Sequence, residues 1–245
     1  MCGTGIFIIG TDTGVGKTLI AAALTGALRE AGVRASYFKP VQSGGIPQQG
    51  KIISPDLAFV RGVTVQEEDD LLLNPVCLQP PLAPSVAAEL TGVTIDLDRI
   101  IQAYNLLVSR YEFLIVEGAG GLYVPLIGTK FLQPDLIKLM NLPVVVVARP
   151  GLGTINHTVL TVKSAESLGI EVIGVIINFS HKPEKTLAEK TNPEIIEALT
   201  GRPILGIVPY LDGVVAANGP PSHLVEAIAQ NVDMERIVTK RRGRS

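Results

Sequence analysis

The sequence predicts an α/β protein built on a doubly wound, mostly parallel sheet with helices on both faces. Three observations carry this. Short apolar, β-branched runs recur along the chain; each leads into a glycine-containing loop; and a segment of helical period follows each loop. The runs are apolar throughout rather than alternating, as in parallel strands covered by helices on both sides.

In chain order, strands are expected at residues 6–10, 35–39, 113–117, 144–148, 172–178 and 204–208, and helices at 18–31, 95–109, 154–168, 184–199 and 221–231. Asp96 or Thr94 can cap the second helix, Asn192-Pro193 threatens to interrupt the fourth, and Gly32 and Gly169 suit a left-handed closing residue. Residues 41–90 fit the alternation poorly. Pro47, Pro55, Pro75, Pro80, Pro81 and Pro84 fall within them, and they read as an active-site elaboration with two short helical pieces. The expectation is one domain over residues 1–235 and a basic, disordered tail over 236–245.

Of 245 residues, 47% are hydrophobic, enough for a full core. Lysine and arginine number 21 against 23 acidic residues, so no basic field exists to draw nucleic acid or an anionic membrane, and a small-molecule substrate is expected. Cys2 and Cys77 supply neither a disulfide framework nor a metal site, which points to a reducing, cytoplasmic setting. No apolar run approaches the roughly 20 residues of a membrane span, and no signal-peptide pattern opens the chain.

The strongest chemical signal is the run Gly10-Thr11-Asp12-Thr13-Gly14-Val15-Gly16-Lys17-Thr18 between the first strand and an alanine-rich helix. Glycines at 14 and 16 let backbone amides curl toward phosphate oxygens, and the helix start adds positive potential. Lys17 would bridge the outer phosphates and Thr18 would hold Mg2+, the arrangement of a P-loop. The general P-loop spacing asks for glycine at position 11, where this chain has Thr11; Gly10 lies one place early.

Glu117 ends a buried run and passes directly into Gly118-Ala119-Gly120-Gly121, where its carboxylate can serve the same Mg2+. Lys39 ends the second strand, ahead of Pro40-Val41-Gln42-Ser43-Gly44, where a fixed cation can meet developing negative charge. Both stand at carboxyl ends of strands, the ligand-binding edge of such sheets. Asp56 in Ser54-Pro55-Asp56 reads equally as a helix cap. The run 149–156 opens a helix whose free amides can receive a carboxylate, and His157, with no nucleophile partner evident, reads as structural. Asn178 and Pro209-Tyr210-Leu211 follow two further strands, where a nucleotide base can be held.

Residues 10–18, the run Tyr37-Phe38-Lys39-Pro40-Val41-Gln42-Ser43-Gly44 and residues 116–126 together resemble the dethiobiotin synthetases, a P-loop NTPase family, and the likeness extends over about residues 6–211. That family writes its loop with the early glycine. The resemblance implies ATP-dependent joining of 7,8-diaminopelargonate and CO2 (bicarbonate) into dethiobiotin, with ADP and phosphate released and Mg2+ required. It implies catalytic roles for Lys17, Lys39 and Thr13. ATP contacts are implied at Gly14, Val15, Gly16, Lys17, Thr18, Leu19, Asp56, Glu117, Gly118, Ala119, Gly120, Asn178, Pro209, Tyr210 and Leu211. Thr18, Asp56 and Glu117 would arrange Mg2+, while Ser43, Gly151, Leu152, Gly153, Thr154 and Asn156 would bind substrate, the last five from the partner subunit of a homodimer. Relatives commonly carry a histidine where this chain has Ser85 after Ala83-Pro84. Two rivals share such a core. A cobyrinate-type amidoligase adds a glutamine-using domain with a nucleophilic cysteine, and a partition-type switch ATPase carries an early P-loop lysine where Thr11 and Asp12 stand here.

Overall fold

The computed structural model describes residues 5–184, 186–212 and 223–239. The chain opens with β1 (Gly5–Gly10), α1 (Lys17–Glu30) and β2 (Ala35–Phe38). An elaborated stretch follows: β3 (Val41–Ser43), β4 (Ile46–Gln48), β5 (Lys51–Ile53), α2 (Pro55–Val63), α3 (Asp70–Leu73), β6 (Val76–Leu78), α4 (Pro84–Thr91) and α5 (Leu97–Arg110). The remainder comprises β7 (Phe113–Glu117), β8 (Pro125–Ile127), β9 (Phe131–Leu132), α6 (Gln133–Met140), β10 (Val144–Ala148), α7 (Thr154–Ser167), β11 (Val172–Asn178), α8 (Leu187–Thr200), β12 (Ile204–Val208), α9 (Leu224–Asn231) and α10 (Met234–Thr239).

The six long-expected strands form one sheet in the order β12-β11-β10-β1-β7-β2, every pair parallel. β1, β7, β10 and β11 are buried along their whole length, which is why their sequences are apolar without alternation. From β1 the chain moves outward to β2, comes back to β7 in between, and then crosses to β10 on the other side. Right-handed crossovers in opposite directions set α1 and α7 on opposite faces. α1 packs against the sheet, α2 and α9, whereas α7 packs against β10, β11 and α8. The reversal leaves a crevice at the carboxyl ends of β1, β7 and β10, and register levels Lys39 with Glu117, since Phe38 pairs with Val116.

Helix ends follow local chemistry. Of the two candidate caps for α5, Asp96 acts: its carboxylate accepts from the Arg99 amide at 3.1 Å. Gly32 and Gly169 adopt positive φ after α1 and α7. Pro193, expected to interrupt, lies inside a continuous α8. Its missing N–H is outweighed by a Thr186–Glu189 capping box, by burial of Ile196 and Thr200, and by Asn192, whose amide donates to the Pro150 and Gly151 carbonyls at 2.8 and 3.3 Å. α8 starts three residues later than expected, because that box sets its start at Leu187.

Other departures lie where elements are short. Residues 41–90 hold four strands and three helices rather than two helical pieces, including a β4–β5 hairpin and a parallel β3–β6 pair. α6, with Pro134 in its first turn and Leu136, Ile137 and Met140 buried, has no counterpart in the sequence reading. Residues 236–239, read as the start of the tail, belong to α10, where Ile237 is fully buried. Residues 240–245, and 221–222 of the last expected helix, lie outside the described residues.

Restoring the N–H inside α8 gives a direct test of this balance. Pro193→Ala is expected to raise stability by about 1–2 kcal/mol, the interior-proline penalty less the gain in unfolded-chain entropy. Chemical denaturation measures it, and an unchanged or lower midpoint would mean that the Glu189 carbonyl is already satisfied elsewhere.

Candidate active site

The loop between β1 and α1 is held by the sheet on two sides. The Gly10 amide donates to the Gly120 carbonyl at 3.3 Å and the Thr11 amide to the Val147 carbonyl at 2.9 Å. A side chain at position 10 would have its Cβ 2.5 Å from the Asp12 carbonyl oxygen and 3.1 Å from Lys17 Nζ. The early glycine therefore makes room for the loop to fold back and for the lysine to lie across it. Gly16 has φ 94° and abuts Asn178, so that a Cβ there would lie 2.1 Å from the amide nitrogen.

Lys17 is buried over this loop, its Nζ 3.4 Å from the Asp12 carbonyl. Burial lowers its pKa, and Glu117 partly opposes that shift. Beside it lies a compact polar cluster. Glu117 Oε1 accepts from Thr18 Oγ1 at 2.8 Å and from Lys39 Nζ at 2.7 Å, while its Oε2 accepts from the Tyr37 hydroxyl at 2.7 Å. Lys39 also meets Asp56 Oδ2 at 2.7 Å and the Gly118 carbonyl at 3.3 Å. Burial pulls the Lys39 pKa down, but Glu117 and then Asp56 outweigh it and hold the ammonium above its ordinary value. The Tyr37 phenol is driven well up by burial and then by Glu117, which keeps it a neutral donor.

Asp56 is free for this contact because it is not the cap of α2. Ser54 is, accepting from the Leu57 amide at 3.1 Å while donating to Gln42 Oε1 at 2.9 Å. The glycine loop after β7 is clamped by Gln133 at the start of α6, which accepts from the Ala119 amide at 2.6 Å and donates to the Gly121 carbonyl at 2.7 Å.

Two adjoining cavities open over these groups. The larger, about 710 Å3, is lined by Thr13, Gly14, Gly16, Lys17, Thr18, Lys39, Ser43, Asp56, Glu117, Ala119 and Gly120, with Val41, Gln42 and residues 81–84 closing its side. Ala83 and Pro84 reach it and Ser85 does not. The smaller, about 300 Å3, shares Gly16, Thr18 and Asp56 and adds Leu19, Asn178, Pro209, Tyr210 and Leu211, with Phe59 and Phe179 also on its lining. A cavity lined by the glycine-rich loop and two lysines, beside one bordered by two aromatic side chains, suits a nucleotide. Val15 and Gly118 stand behind the lining, the first buried under the loop and the second against Gln133.

Asn178 departs from a simple base-holding role. Its amide nitrogen donates to the Val15 carbonyl at 2.9 Å, which ties the end of β11 to the loop. Gly151, Leu152, Gly153, Thr154 and Asn156 form the turn into α7 and line neither cavity of this chain. Leu152 is 85% exposed. His157 Nδ1 lies 3.3 Å from an Arg149 guanidinium nitrogen and touches no catalytic group. Cys77 is half-buried, and burial followed by Asp56 pushes its thiol up to about 11, which removes it as a nucleophile.

Tyr37, Gln42, Gln133, Phe59 and Phe179 are site residues that the sequence reading passed over. For Tyr37 a signal existed: in the strand expected at residues 35–39 it lies two places before Lys39 and so shares its face, although β2 itself ends at Phe38.

Thr18, Asp56 and Glu117 offer hydroxyl and carboxylate oxygens only, the donor type that Mg2+ takes. No group of three or more His, Cys, Asp or Glu among the described residues is placed to hold a metal ion, so the set suits an ion carried by phosphates better than a protein-built cage. The cavity's two lysines and two carboxylates balance formally, which leaves the charge of an entering polyphosphate for a divalent cation to offset.

Comparison with known proteins agrees with this geometry. The family model described as an AAA domain matches residues 4–218. The ATP-dependent dethiobiotin synthetase BioD of Thermodesulfovibrio yellowstonii is 37% identical over 241 residues, covering 96% of this chain and 98% of that one. Its namesake from Bacillus licheniformis is 41% identical over 237 residues, covering 96% of each chain. Among solved structures, the septum site-determining protein MinD of Pyrococcus horikoshii, complexed with Mg-ADP, is 17% identical with a TM-score of 0.57, covering 97% of this chain and 95% of that one; this likeness speaks for the fold alone. Described residues include no helix long and apolar enough to cross a membrane. At these identities over nearly the full length of both partners, the chain belongs to the ATP-dependent dethiobiotin synthetase family.

Proposed function

We propose that this enzyme makes dethiobiotin from 7,8-diaminopelargonate, CO2 and ATP through a carbamate and a carbamic-phosphoric mixed anhydride, and that Lys39 is the group around which the reaction is arranged. One amine of the substrate adds to CO2 and loses a proton, giving a carbamate. A carbamate oxygen attacks the γ-phosphorus, the bond to ADP breaks, and the mixed anhydride forms. The second amine then attacks the activated carbonyl, the ureido ring closes and phosphate leaves. Nothing here needs a protein nucleophile, in keeping with a site of fixed charges and no reactive cysteine.

The observation that carries this reading is the Lys39 ammonium, 2.7 Å from both Asp56 and Glu117 and on the wall of the larger cavity beside Lys17. There it can exchange protein carboxylates for the carbamate and the transferring phosphoryl group, which are both anionic. Lys17 and the amides of residues 13–18 would hold the outer phosphates, with Thr13 nearest the reacting groups and Ser43 against the organic substrate. The smaller cavity would take adenine, with Phe59, Phe179, Asn178 and residues 209–211 along its walls. Thr18, Asp56 and Glu117 would hold Mg2+, which when bound supplies charge neutralisation on the phosphates. The turn at Gly151–Asn156, outside this chain's own cavities, would receive the substrate carboxylate across a homodimer interface. We read the protein as a cytoplasmic enzyme whose working domain includes α10 and so runs past residue 235 to residue 239.

Three outcomes test this. ADP formation is expected only when diaminopelargonate and bicarbonate are both supplied; equal ATP turnover without either would sink the mechanism. Lys39→Ala is expected to lower turnover by about 100-fold or more with little change in nucleotide affinity. It should also lower the nucleotide-free stability by about 3–5 kcal/mol, since two carboxylates lose their counter-charge. Loss of ATP affinity with unchanged rate would instead assign Lys39 to ground-state binding. Gly16→Ala should weaken nucleotide binding strongly in a calorimetric titration, because a side chain there is strained at φ 94° and also displaces the Asn178 amide; retained affinity would mean that the loop adapts and Asn178 swings aside.

A further inference from the structure

We infer that Tyr37 is a positioning residue that fixes how the Glu117 carboxylate is turned toward the phosphate loop. Glu117 is 1% exposed at the end of β7. A carboxylate has two equivalent oxygens and a broad terminal torsion, so burial alone does not decide how it is turned. Three donors decide it here. Thr18 Oγ1 and Lys39 Nζ both meet Oε1, at 2.8 and 2.7 Å, and the Tyr37 hydroxyl alone meets Oε2, at 2.7 Å.

The strand register makes this contact possible. Tyr37 pairs with Ile115, so Glu117 lies two residues further along the neighbouring strand on the same face, a diagonal separation of about 7–8 Å. A tyrosine spans that distance and a shorter polar side chain does not. Tyr37 is itself fully buried and its hydroxyl has no other hydrogen-bond partner among the described residues, so the bond is dry and directional.

Without the hydroxyl, Oε2 becomes a buried charged oxygen with no donor, and Glu117 can recover one only by turning toward Thr18 or Lys39. Either turn takes a partner from Oε1. The hydroxyl therefore acts through Glu117 on Thr18 and Lys39, and it reaches neither cavity itself. This rests on the proposed assignment of Thr18 and Glu117 to nucleotide-bound Mg2+.

The test compares Tyr37→Phe with the unaltered protein in titrations of ADP with and without Mg2+. ADP affinity without Mg2+ is expected to stay within about twofold, while the Mg2+ concentration giving half of the metal-dependent effect rises about tenfold, in the range for partners of a metal's ligands. In a Glu117→Gln background the same substitution should shift that midpoint by less than about twofold, because the two changes act through one group. An unchanged midpoint, or equal shifts in both backgrounds, overturns the inference. So does a Tyr37→Phe protein without a cooperative melting transition, which would assign the hydroxyl to stability alone. ADP and Mg2+ binding involve no organic substrate, so the result stands apart from whether diaminopelargonate is the one turned over.

Discussion

The contact between Lys39 and Glu117 organises this molecule. Both groups are buried, and a buried charge persists only when paired and hydrogen-bonded. Each recruits what the other lacks: Lys39 adds Asp56 and the Gly118 carbonyl, while Glu117 adds Thr18 and Tyr37. In this way β2, β7, the start of α1 and the start of α2 converge on one point. The ion pair is weak support for stability in its own right, since replacing such pairs with apolar groups is often neutral or better. Its retention at a cavity wall is easier to understand as chemistry than as folding.

The sequence was most legible where physics is local. Six strands could be found because burial on both faces demands continuous apolar runs, and the phosphate loop because glycine, lysine and hydroxyl fall in a fixed order. Pairings across the sheet were not legible in the same way. Nothing near Asp56 says that Ser54 takes the cap and frees its carboxylate, and nothing near Asn178 says that its amide nitrogen is committed to Val15, 163 residues earlier. Short elements held by tertiary contacts escaped too, α6 among them, and Pro193 misled because Asn192 and a capping box outweigh a local penalty.

Fold alone would have left the rivals standing. A likeness to MinD at 17% identity shows a shared fold, which many chemistries use. Thr11 and Asp12 occupy the positions where switch ATPases of the partition type carry a lysine, and Cys77 has a thiol too weakly acidic for the amidoligase role. The near full-length identity to dethiobiotin synthetases then adds to a distinction already drawn by single residues.

Gly10 belongs to a strand and to a loop at once. It pairs with Val147 in the sheet, and its amide reaches the loop after β7. The phosphate loop is thus continuous with a strand buried along its whole length, and residues 41–43 and 81–84 share the larger cavity with it. A pattern that counts positions between glycines would pass over this chain, because what the backbone requires is empty volume at one place, whichever residue number that place carries.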